Sequence, residues 1–138
     1  METLGRHILA RVEKQSQHPA IDMISGQEVH FLNFQQYFQK TETLSLALKN
    51  LGLGSENKVS LLAQTCPEWH FFDIAILNLR GIVVPIYPSY LPKEILFILN
   101  HSESSALILE DNEQFEKFLT IQNQVKFVHT VVHIKSLK

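Results

Sequence analysis

The amino-acid sequence predicts an α/β fold, a parallel β-sheet flanked by helices on both faces, preceded by a small N-terminal hairpin. Over residues 58–111, short runs rich in Val, Ile and Leu alternate with helix-like segments, which is the pattern of a parallel sheet. Hydrophobic residues make up 45% of the 138 residues and charged residues 19%, so the chain can fill a core. The length suits one ordinary domain or part of a larger one. The strand–helix–strand order requires right-handed crossovers, which place helices on both faces.

The chain begins with a predicted amphipathic helix. Leu4, Ile8 and Val12 recur at helical spacing, so their side chains share one face. We expect this helix to end near Gln17, because Pro19 disfavours the helical conformation in the residue before it.

A hairpin and a second helix are predicted next. Residues 20–24 and 29–32 are two short apolar runs separated by a glycine-containing loop, which is typical of a hairpin. Asn33 is the expected N-cap of the following helix, and Gln36 three residues later completes a capping box. Gly52 is expected in the left-handed position that ends this helix.

The middle of the chain predicts a buried strand and a helix that is packed on most sides. Residues 59–63 form the apolar run of the strand. Thr65 and Glu68 have the spacing of a second capping box, and Pro67 suits the first helical turn. We expect Gly81 to end this helix, which is apolar over most of its circumference.

The remainder continues the alternation of strands and helices. Pro85 argues against a fully hydrogen-bonded central strand and predicts a strand end or an irregularity there. The predicted elements are a strand at 82–87, a helix at 92–99, a strand at 106–109, a helix at 112–122 and a last strand at 127–134.

Composition excludes several function classes. The net charge of −2 comes without any block of Lys or Arg, so no nucleic-acid surface is predicted. Charged residues interrupt the N-terminal apolar positions, which excludes a signal peptide. The longest nearly uncharged run, 71–91, is broken by charges, Gly and Pro, so no transmembrane segment is expected. Cys66 is the single cysteine and cannot form an internal disulfide, which favours a reducing, cytoplasmic location.

Five segments, in order, resemble the N-terminal part of the AMP-binding domain of acyl-CoA synthetases and other adenylate-forming ligases. They are LNFQQY at 32–37, LGLGSENKV at 51–59, PEW followed by DIAIL within 67–77, GIVVPIYPS at 81–89 and EILFILNHSE at 94–103. The sequence departs from the family wording at Gln36, where Glu is usual, and at Glu56 and Asn57, where Gly and Asp are usual. The last two segments, in that order, resemble the long-chain fatty acyl-CoA synthetases in particular.

The resemblance implies a parent enzyme that joins a fatty acid to coenzyme A through an acyl-adenylate, using ATP and magnesium. In such chemistry backbone N–H groups, a lysine and the metal ion stabilise the phosphates. The phosphate loop and the metal-binding, ribose-binding and lysine motifs of the family have no counterpart in this sequence. Residues 52–55 are the nearest match to a phosphate loop, and a helix C-cap followed by a turn explains them better. We therefore expect no catalytic, cofactor-binding or metal-binding residue here, and a chain that is inactive alone.

Several side chains invite a chemical interpretation but have simpler ones. Cys66 could be a nucleophile, yet a small residue at a helix start explains it without a partnering histidine. His129 and His133 would lie about 13 Å apart on a strand and could not share one metal ion. A polar stripe is predicted on one face of the third helix, consisting of His70, Asp73 and Arg80, and Trp69 beside it is interpreted as a packing anchor.

Tyr87, Pro88 and Ser89 are the candidate substrate-binding residues. They leave the C-terminal end of a predicted parallel strand, where open α/β sheets place their ligands. The resemblance places this turn near the pantetheine or acyl channel of the parent. A turn that only starts the following helix is the competing interpretation.

Two classes of function remain open from the sequence. The first is the N-terminal subdomain of a fatty-acid–CoA ligase, with an aryl or amino-acid adenylating enzyme as the alternative parent. The second is a non-catalytic module that binds or associates with other chains. In the first class the partners are the remainder of the parent, the fatty acid and coenzyme A, and the parent is cytoplasmic or attached to a membrane surface. Because the last strand would leave an unpaired edge, we also expect self-association.

Overall fold

The structure, a computed structural model, describes residues 4–25 and 28–135. The N-terminal elements are α1 (Leu4–Gln15), β1 (Pro19–Ser25), β2 (Glu28–Asn33) and α2 (Phe34–Asn50). The elements of the sheet region are β3 (Lys58–Leu62), α3 (Pro67–Asn78), β4 (Ile82–Ile86), α4 (Pro92–Ser102), β5 (Ala106–Leu109), α5 (Asn112–Leu119), a 3-10 turn (Gln122–Gln124) and β6 (Thr130–His133). The predicted α/β class is confirmed. No helix within the described ranges has the length and apolar character needed to cross a bilayer.

Strands β3 to β6 form one parallel sheet in the order β4-β3-β5-β6. The chain moves from β3 to β4 in one direction, then crosses back over β3 to β5 and continues to β6. Strands β1 and β2 form the separate antiparallel hairpin that the sequence predicted. The loop residues Gly26 and Gln27 lie outside the described residues.

Alternate residues of the sheet strands fill two apolar clusters, one on each face. On one face Val59, Leu61 and Ile108 pack against Leu48 of α2 and Ile76 of α3. On the other face a second cluster joins the sheet to α4 and α5, and consists of Leu62, Ile86, Ile95, Leu99, Leu107, Leu109, Phe118 and Ile121. Helices therefore cover both faces, as predicted, and the strands of the middle are buried on both sides.

Helix α1 and the hairpin form an additional layer outside α2 and α3. Tyr37 of α2 packs edge-on against Phe71 of α3, with ring centroids 5.6 Å apart. Ile21 and Leu32, which face each other across the hairpin, pack against this aromatic pair. The hairpin is therefore attached to α2 and α3 rather than to the sheet.

Two of the predicted helix ends are confirmed. The Asn33 side chain accepts the Gln36 N–H at 2.8 Å, and the Gln36 side chain accepts the Asn33 N–H at 3.0 Å, which completes the capping box. Gly52 has a φ of 86° directly after the C-cap Leu51, so residues 52–55 do form a helix end and turn.

The predicted capping box of α3 is wrong. Helix α3 begins at Pro67 with Cys66 as its N-cap, and no side chain caps its first turn. Glu68 is therefore the second helical residue instead of the third, so it cannot make the reciprocal bond with Thr65. Pro67 does occupy the first turn, as expected.

The end of α3 also differs from the prediction. The helix ends at Asn78, and Arg80, with a φ of 62°, takes the left-handed position expected of glycine. Gly81 follows it and donates its N–H to the Ile76 carbonyl at 3.0 Å, which closes a Schellman motif. Gly81 is required by space, because a Cβ there would lie 2.9 Å from the Ile76 side chain.

Smaller differences concern element lengths. Helix α1 ends two residues earlier than predicted, α4 continues three residues further, and β6 begins at Thr130 instead of residue 127. Pro85 is the fourth residue of β4, a strand at the edge of the sheet, where its missing N–H leaves no ladder bond unmade.

Candidate functional site at the carboxyl edge of the sheet

The sheet has one topological switch point, between β3 and β5. Helix α3 leads from β3 to β4 on one face, whereas α4 and α5 lead to β5 and β6 on the other. Loops leave the carboxyl ends of β3 and β5 in opposite directions, which opens a crevice between them. Open α/β sheets bind their ligands in such a crevice. Residues 63–66 and 110–111 lie there.

Glu110 holds three strand ends together at this crevice. It directly follows β5 and is 5% exposed. One carboxylate oxygen accepts the Gln64 backbone N–H, after β3, at 2.7 Å, and the other accepts the ammonium group of Lys135, after β6. The hydrogen bond with Glu110 raises the pKa of Lys135, whose side chain is half exposed. Glu110 is thus a buried carboxylate whose two oxygens are both engaged.

Cys66 lies at the mouth of the same crevice, at the start of α3. Burial raises the pKa of the Cys66 thiol, and the carboxylates of Glu68 and Glu110 act in the same direction. The Trp69 backbone N–H acts against them. A thiol with a raised pKa carries little thiolate near neutral pH, so this environment does not activate a nucleophile.

Tyr87, Pro88 and Ser89 follow β4, one strand away from the switch point. The Tyr87 ring is 69% exposed and meets the Tyr90 ring edge-on, with centroids 5.6 Å apart. Pro88 is buried, and its carbonyl accepts a hydrogen bond from the Lys117 ammonium group of α5 at 2.6 Å. The hydrogen bond from Lys117 therefore holds the turn against α5, while Tyr87 and Ser89 are exposed to solvent.

The predicted polar stripe of α3 is only partly assembled. His70 is exposed and stands edge-on to the half-buried Trp69 at 5.5 Å, and Trp69 packs against the core as expected of an anchor. Burial raises the pKa of Asp73, while the charge of His70 acts in the opposite direction. Arg80 lies beyond the end of the helix and does not share this face.

The two histidines near β6 have separate environments. His133 stacks on Phe115 of α5, with ring centroids 5.8 Å apart, whereas His129 is exposed beside Thr130. Within residues 4–25 and 28–135, no group of three or more His, Cys, Asp and Glu side chains is placed to hold a metal ion.

The fold and the crevice define a doubly wound α/β scaffold of the ligand-binding type. The sequence matches the family described as "AMP-binding enzyme" over residues 8–138, so the chain belongs to the AMP-binding enzyme family.

Curated relatives agree with this membership, and solved structures share the fold. The long-chain-fatty-acid–CoA ligase heimdall of Drosophila melanogaster is 28% identical over 103 residues, which cover 75% of this chain and 15% of that protein. A long-chain-fatty-acid-CoA ligase (FadD1) from Archaeoglobus fulgidus has a similar structure, with a TM-score of 0.89, 21% identity, and coverage of 99% of this chain and 28% of that one. The anthranilate CoA ligase AuaEII, in complex with anthranoyl-AMP, has a TM-score of 0.82 and 22% identity, over 94% of this chain and 24% of that one. The chain thus spans about a sixth of the curated relative.

Sequence reasoning missed the residues at the switch point itself. Gln64, Glu110 and Lys135 meet there, but they are far apart in the chain and belong to three loops. One signal was available: Glu110 and Asp111 directly follow an entirely apolar run, residues 106–109. A carboxylate in that position marks the carboxyl end of a buried parallel strand.

The described residues do not fit the magnesium ion that the resemblance implies. Glu110 is the best-placed carboxylate, but the Gln64 N–H and the Lys135 ammonium already occupy its oxygens. The Glu68 side chain lies in the first turn of α3 beside the protonated thiol of Cys66 and has no second carboxylate with it.

Proposed function

We propose that this chain is the N-terminal subdomain of a long-chain fatty-acid–CoA ligase and serves as its scaffold. The parent would convert a fatty acid, ATP and coenzyme A into acyl-CoA, AMP and diphosphate. The observation that carries this proposal is the family match over residues 8–138, together with curated relatives that are long-chain-fatty-acid–CoA ligases. The doubly wound sheet supports it, because open α/β sheets bind their ligands in a switch-point crevice of this kind.

We also propose that Tyr87 and Ser89 form part of a substrate channel in the parent. Support comes from the fixed turn: Lys117 binds the Pro88 carbonyl, and the Tyr87 ring remains largely exposed at the carboxyl edge. An exposed aromatic ring on a rigid turn suits contact with a pantetheine arm or an acyl chain. Pro88 itself is buried and acts by shaping the turn.

A further part of the proposal is self-association of the isolated chain through β6. This strand has only β5 as a neighbour, and Val131 on it is 40% exposed. In contrast to β4, which carries Pro85 at the other edge, β6 has no proline or charged residue to blunt pairing.

Sequencing the transcript beyond the codon for Lys138 tests the parent directly. The proposal expects the frame to continue into a Thr-, Ser- and Gly-rich phosphate loop. The full-length product should then form acyl-CoA from palmitate faster than from benzoate. A stop codon after Lys138 would support the non-catalytic module instead, and faster reaction with benzoate would support the aryl-adenylating parent.

The channel proposal is tested in that full-length product. Tyr87→Ala should raise the KM for palmitate or coenzyme A several-fold, because an aromatic contact is lost, while the KM for ATP should change little. Phe97→Ala is the matched control, since Phe97 is similarly exposed on the outer side of α4. Equal effects of the two substitutions, or a KM change confined to ATP, would contradict the channel proposal.

A further inference from the structure

Lys117 connects helix α5 to the turn that follows β4. Its ammonium group donates a hydrogen bond to the Pro88 carbonyl at 2.6 Å, between residues that are 29 positions apart in the chain. Pro88 is the buried middle residue of the turn, and the residues on either side of it, Tyr87 and Ser89, are exposed. A hydrogen bond from a charged donor is about twice as strong as one between neutral groups. This contact therefore ties the turn to an element that is distant in the sequence.

The ammonium group is held in place from the side of α5. It lies 3.3 Å from Oε1 of Gln114, a residue that is 4% exposed, and 3.2 Å from Oε1 of Glu113. Together with the Pro88 carbonyl, these atoms give the group three oxygen neighbours, as many as the hydrogens that it can donate. The Asp111 side chain accepts the backbone N–H of Gln114 at 3.1 Å, which fixes the first turn of the helix. The Lys117 side chain, 23% exposed, is therefore oriented by its own helix.

The position of the Tyr87 ring depends on the turn that carries it. The Tyr90 backbone N–H donates to the Tyr87 carbonyl at 3.0 Å, which closes the turn, and the two rings meet edge-on. Lys117 binds the next carbonyl along the chain, that of Pro88. A change in the Lys117 bond would therefore act on the peptide units that set the direction of the Tyr87 side chain.

We propose that Lys117 is a positioning residue, whose ammonium group holds the turn after β4 so that the exposed Tyr87 ring keeps one place at the carboxyl edge of the sheet. Where the inference concerns substrate, it rests on the proposed function, because Tyr87 is the channel residue proposed above. Lys117 acts through Tyr87 and does not contact the substrate itself.

Amide hydrogen exchange in the 138-residue chain tests whether Lys117 holds the turn, and needs no activity. Lys117→Met keeps the apolar stem and removes the donor. It should speed exchange of the Tyr90 N–H about tenfold, the usual effect of losing one hydrogen bond to a charged group, while the amides of β5 keep their protection. Lys93→Met is the matched control, since Lys93 is an exposed lysine close to the same turn in the chain, and it should leave Tyr90 exchange unchanged.

The unaltered chain gives a second readout that does not depend on the folding of a variant. Hydrogen bonds slow the exchange of ammonium protons with water, so the ammonium group of Lys117 should give a proton–nitrogen NMR signal. The exposed ammonium group of Lys93 should give none under the same conditions. The absence of a Lys117 signal would contradict the bond to the turn.

The kinetics of the full-length product test the link to substrate. Lys117→Met should raise the KM for the same substrate as Tyr87→Ala, leave the KM for ATP nearly unchanged, and add little to Tyr87→Ala in the double variant. A lysine that only stabilised the fold would reduce the amount of active enzyme for all substrates alike, without a selective change in KM.

The two experiments separate failure of this inference from failure of the proposed function. Unchanged Tyr90 exchange in Lys117→Met, an equal acceleration in β5, or additive effects on the KM would overturn the positioning role. A full-length product without ligase activity would overturn the proposed function and the link to substrate, whereas the exchange result would still decide whether Lys117 holds the turn.

Discussion

At the scale of single residues, Glu110 shows how the charge of a buried side chain is compensated by its hydrogen-bond partners. Its two oxygens accept from the Gln64 N–H and the Lys135 ammonium, so the carboxylate is compensated on both sides. The same two bonds tie the loops after β3 and β6 to the end of β5. Backbone hydrogen bonds from Glu110 to Leu62 and from Lys135 to Glu110 join the same three strand ends, so the side chain adds to a connection that the backbone also makes.

The capping box at the start of α2 gives the first prediction. Asn33→Ala removes the acceptor of the Gln36 N–H, and an N-cap substitution of this kind costs about 1 kcal/mol of the free energy of unfolding. Urea unfolding followed by circular dichroism measures this loss in the free energy of unfolding. Asn123→Ala, an exposed asparagine without a capping role, should change stability by much less. Equal losses of stability for the two variants would show that the capping box does not stabilise the fold.

The buried phenol of Tyr37 gives a prediction for alkaline pH. The pKa of Tyr37 is raised to about 12 in the folded chain, from 10.0. Its contribution to stability is therefore complete below about pH 10 and is lost as the pH rises toward the folded value. Lys135, whose pKa is also raised, acts in the same direction.

Urea unfolding at a series of alkaline pH values tests whether stability falls as the pH rises. The unfolding midpoint should fall as the pH rises above about 10, and less steeply for Tyr37→Phe than for the unaltered chain. Tyr87→Phe, which removes an exposed phenol, serves as the control and should keep the original slope. An unchanged slope in Tyr37→Phe would contradict the assignment of the effect to Tyr37.

At the scale of elements, the sequence predicted every strand and helix of the sheet, because apolar runs of strand or helix length alternate between turn and cap residues. It predicted the ends less well. The capping box assigned to Thr65 and Glu68 was shifted by one residue, because the spacing pattern does not show whether Thr65 or Cys66 precedes the first helical residue. Arg80 has the left-handed conformation expected of glycine, and Gly81 follows it where a Cβ would lie 2.9 Å from the Ile76 side chain. Such steric limits come from tertiary packing and leave no local pattern.

That steric limit gives a prediction. Gly81→Ala places a Cβ 2.9 Å from the Ile76 side chain and 3.2 Å from two carbonyl oxygens, so it should destabilise the fold by about 1–3 kcal/mol. Gly54→Ala is the matched control, because nothing lies within 4 Å of its Cβ position. Thermal unfolding of both variants measures the difference. Equal midpoints would mean that the end of α3 adjusts without cost.

The sequence predicted where the candidate site lies, but not all of the residues that form it. Tyr87–Pro88–Ser89 could be placed at a strand's carboxyl end from the sequence, and the structure confirms that position. The contact of Gln64, Glu110 and Lys135 depends on the strand order β4-β3-β5-β6, which residues alone do not specify. A single sequence gives the alternation of elements, whereas the switch point follows from the direction in which each crossover runs.

At the scale of the whole molecule, one edge strand of the sheet carries a proline that opposes pairing with another copy, and the other edge strand carries none. Pro85 lies on β4, whereas β6 carries the partly exposed Val131 without a charge or a proline. Val131→Lys should shift the isolated chain toward the monomer, because a lysine on an edge strand opposes pairing between copies. Sedimentation equilibrium over a wide concentration range measures the association.

Val29→Lys on the hairpin is the matched control, since Val29 is also exposed on a strand. It should leave the association unchanged if β6 is the contact. A monomer at every concentration for the unaltered chain, or an equal effect of both lysines, would contradict pairing through β6.

We propose that these residues form a scaffold of an adenylate-forming ligase and do not bind the nucleotide productively on their own. ATP–pyrophosphate exchange with palmitate and magnesium, measured in parallel on the folded 138-residue chain and on the full-length product of its gene, tests this most directly. We expect exchange by the full-length product and none by the chain alone. Exchange by the chain alone would contradict it.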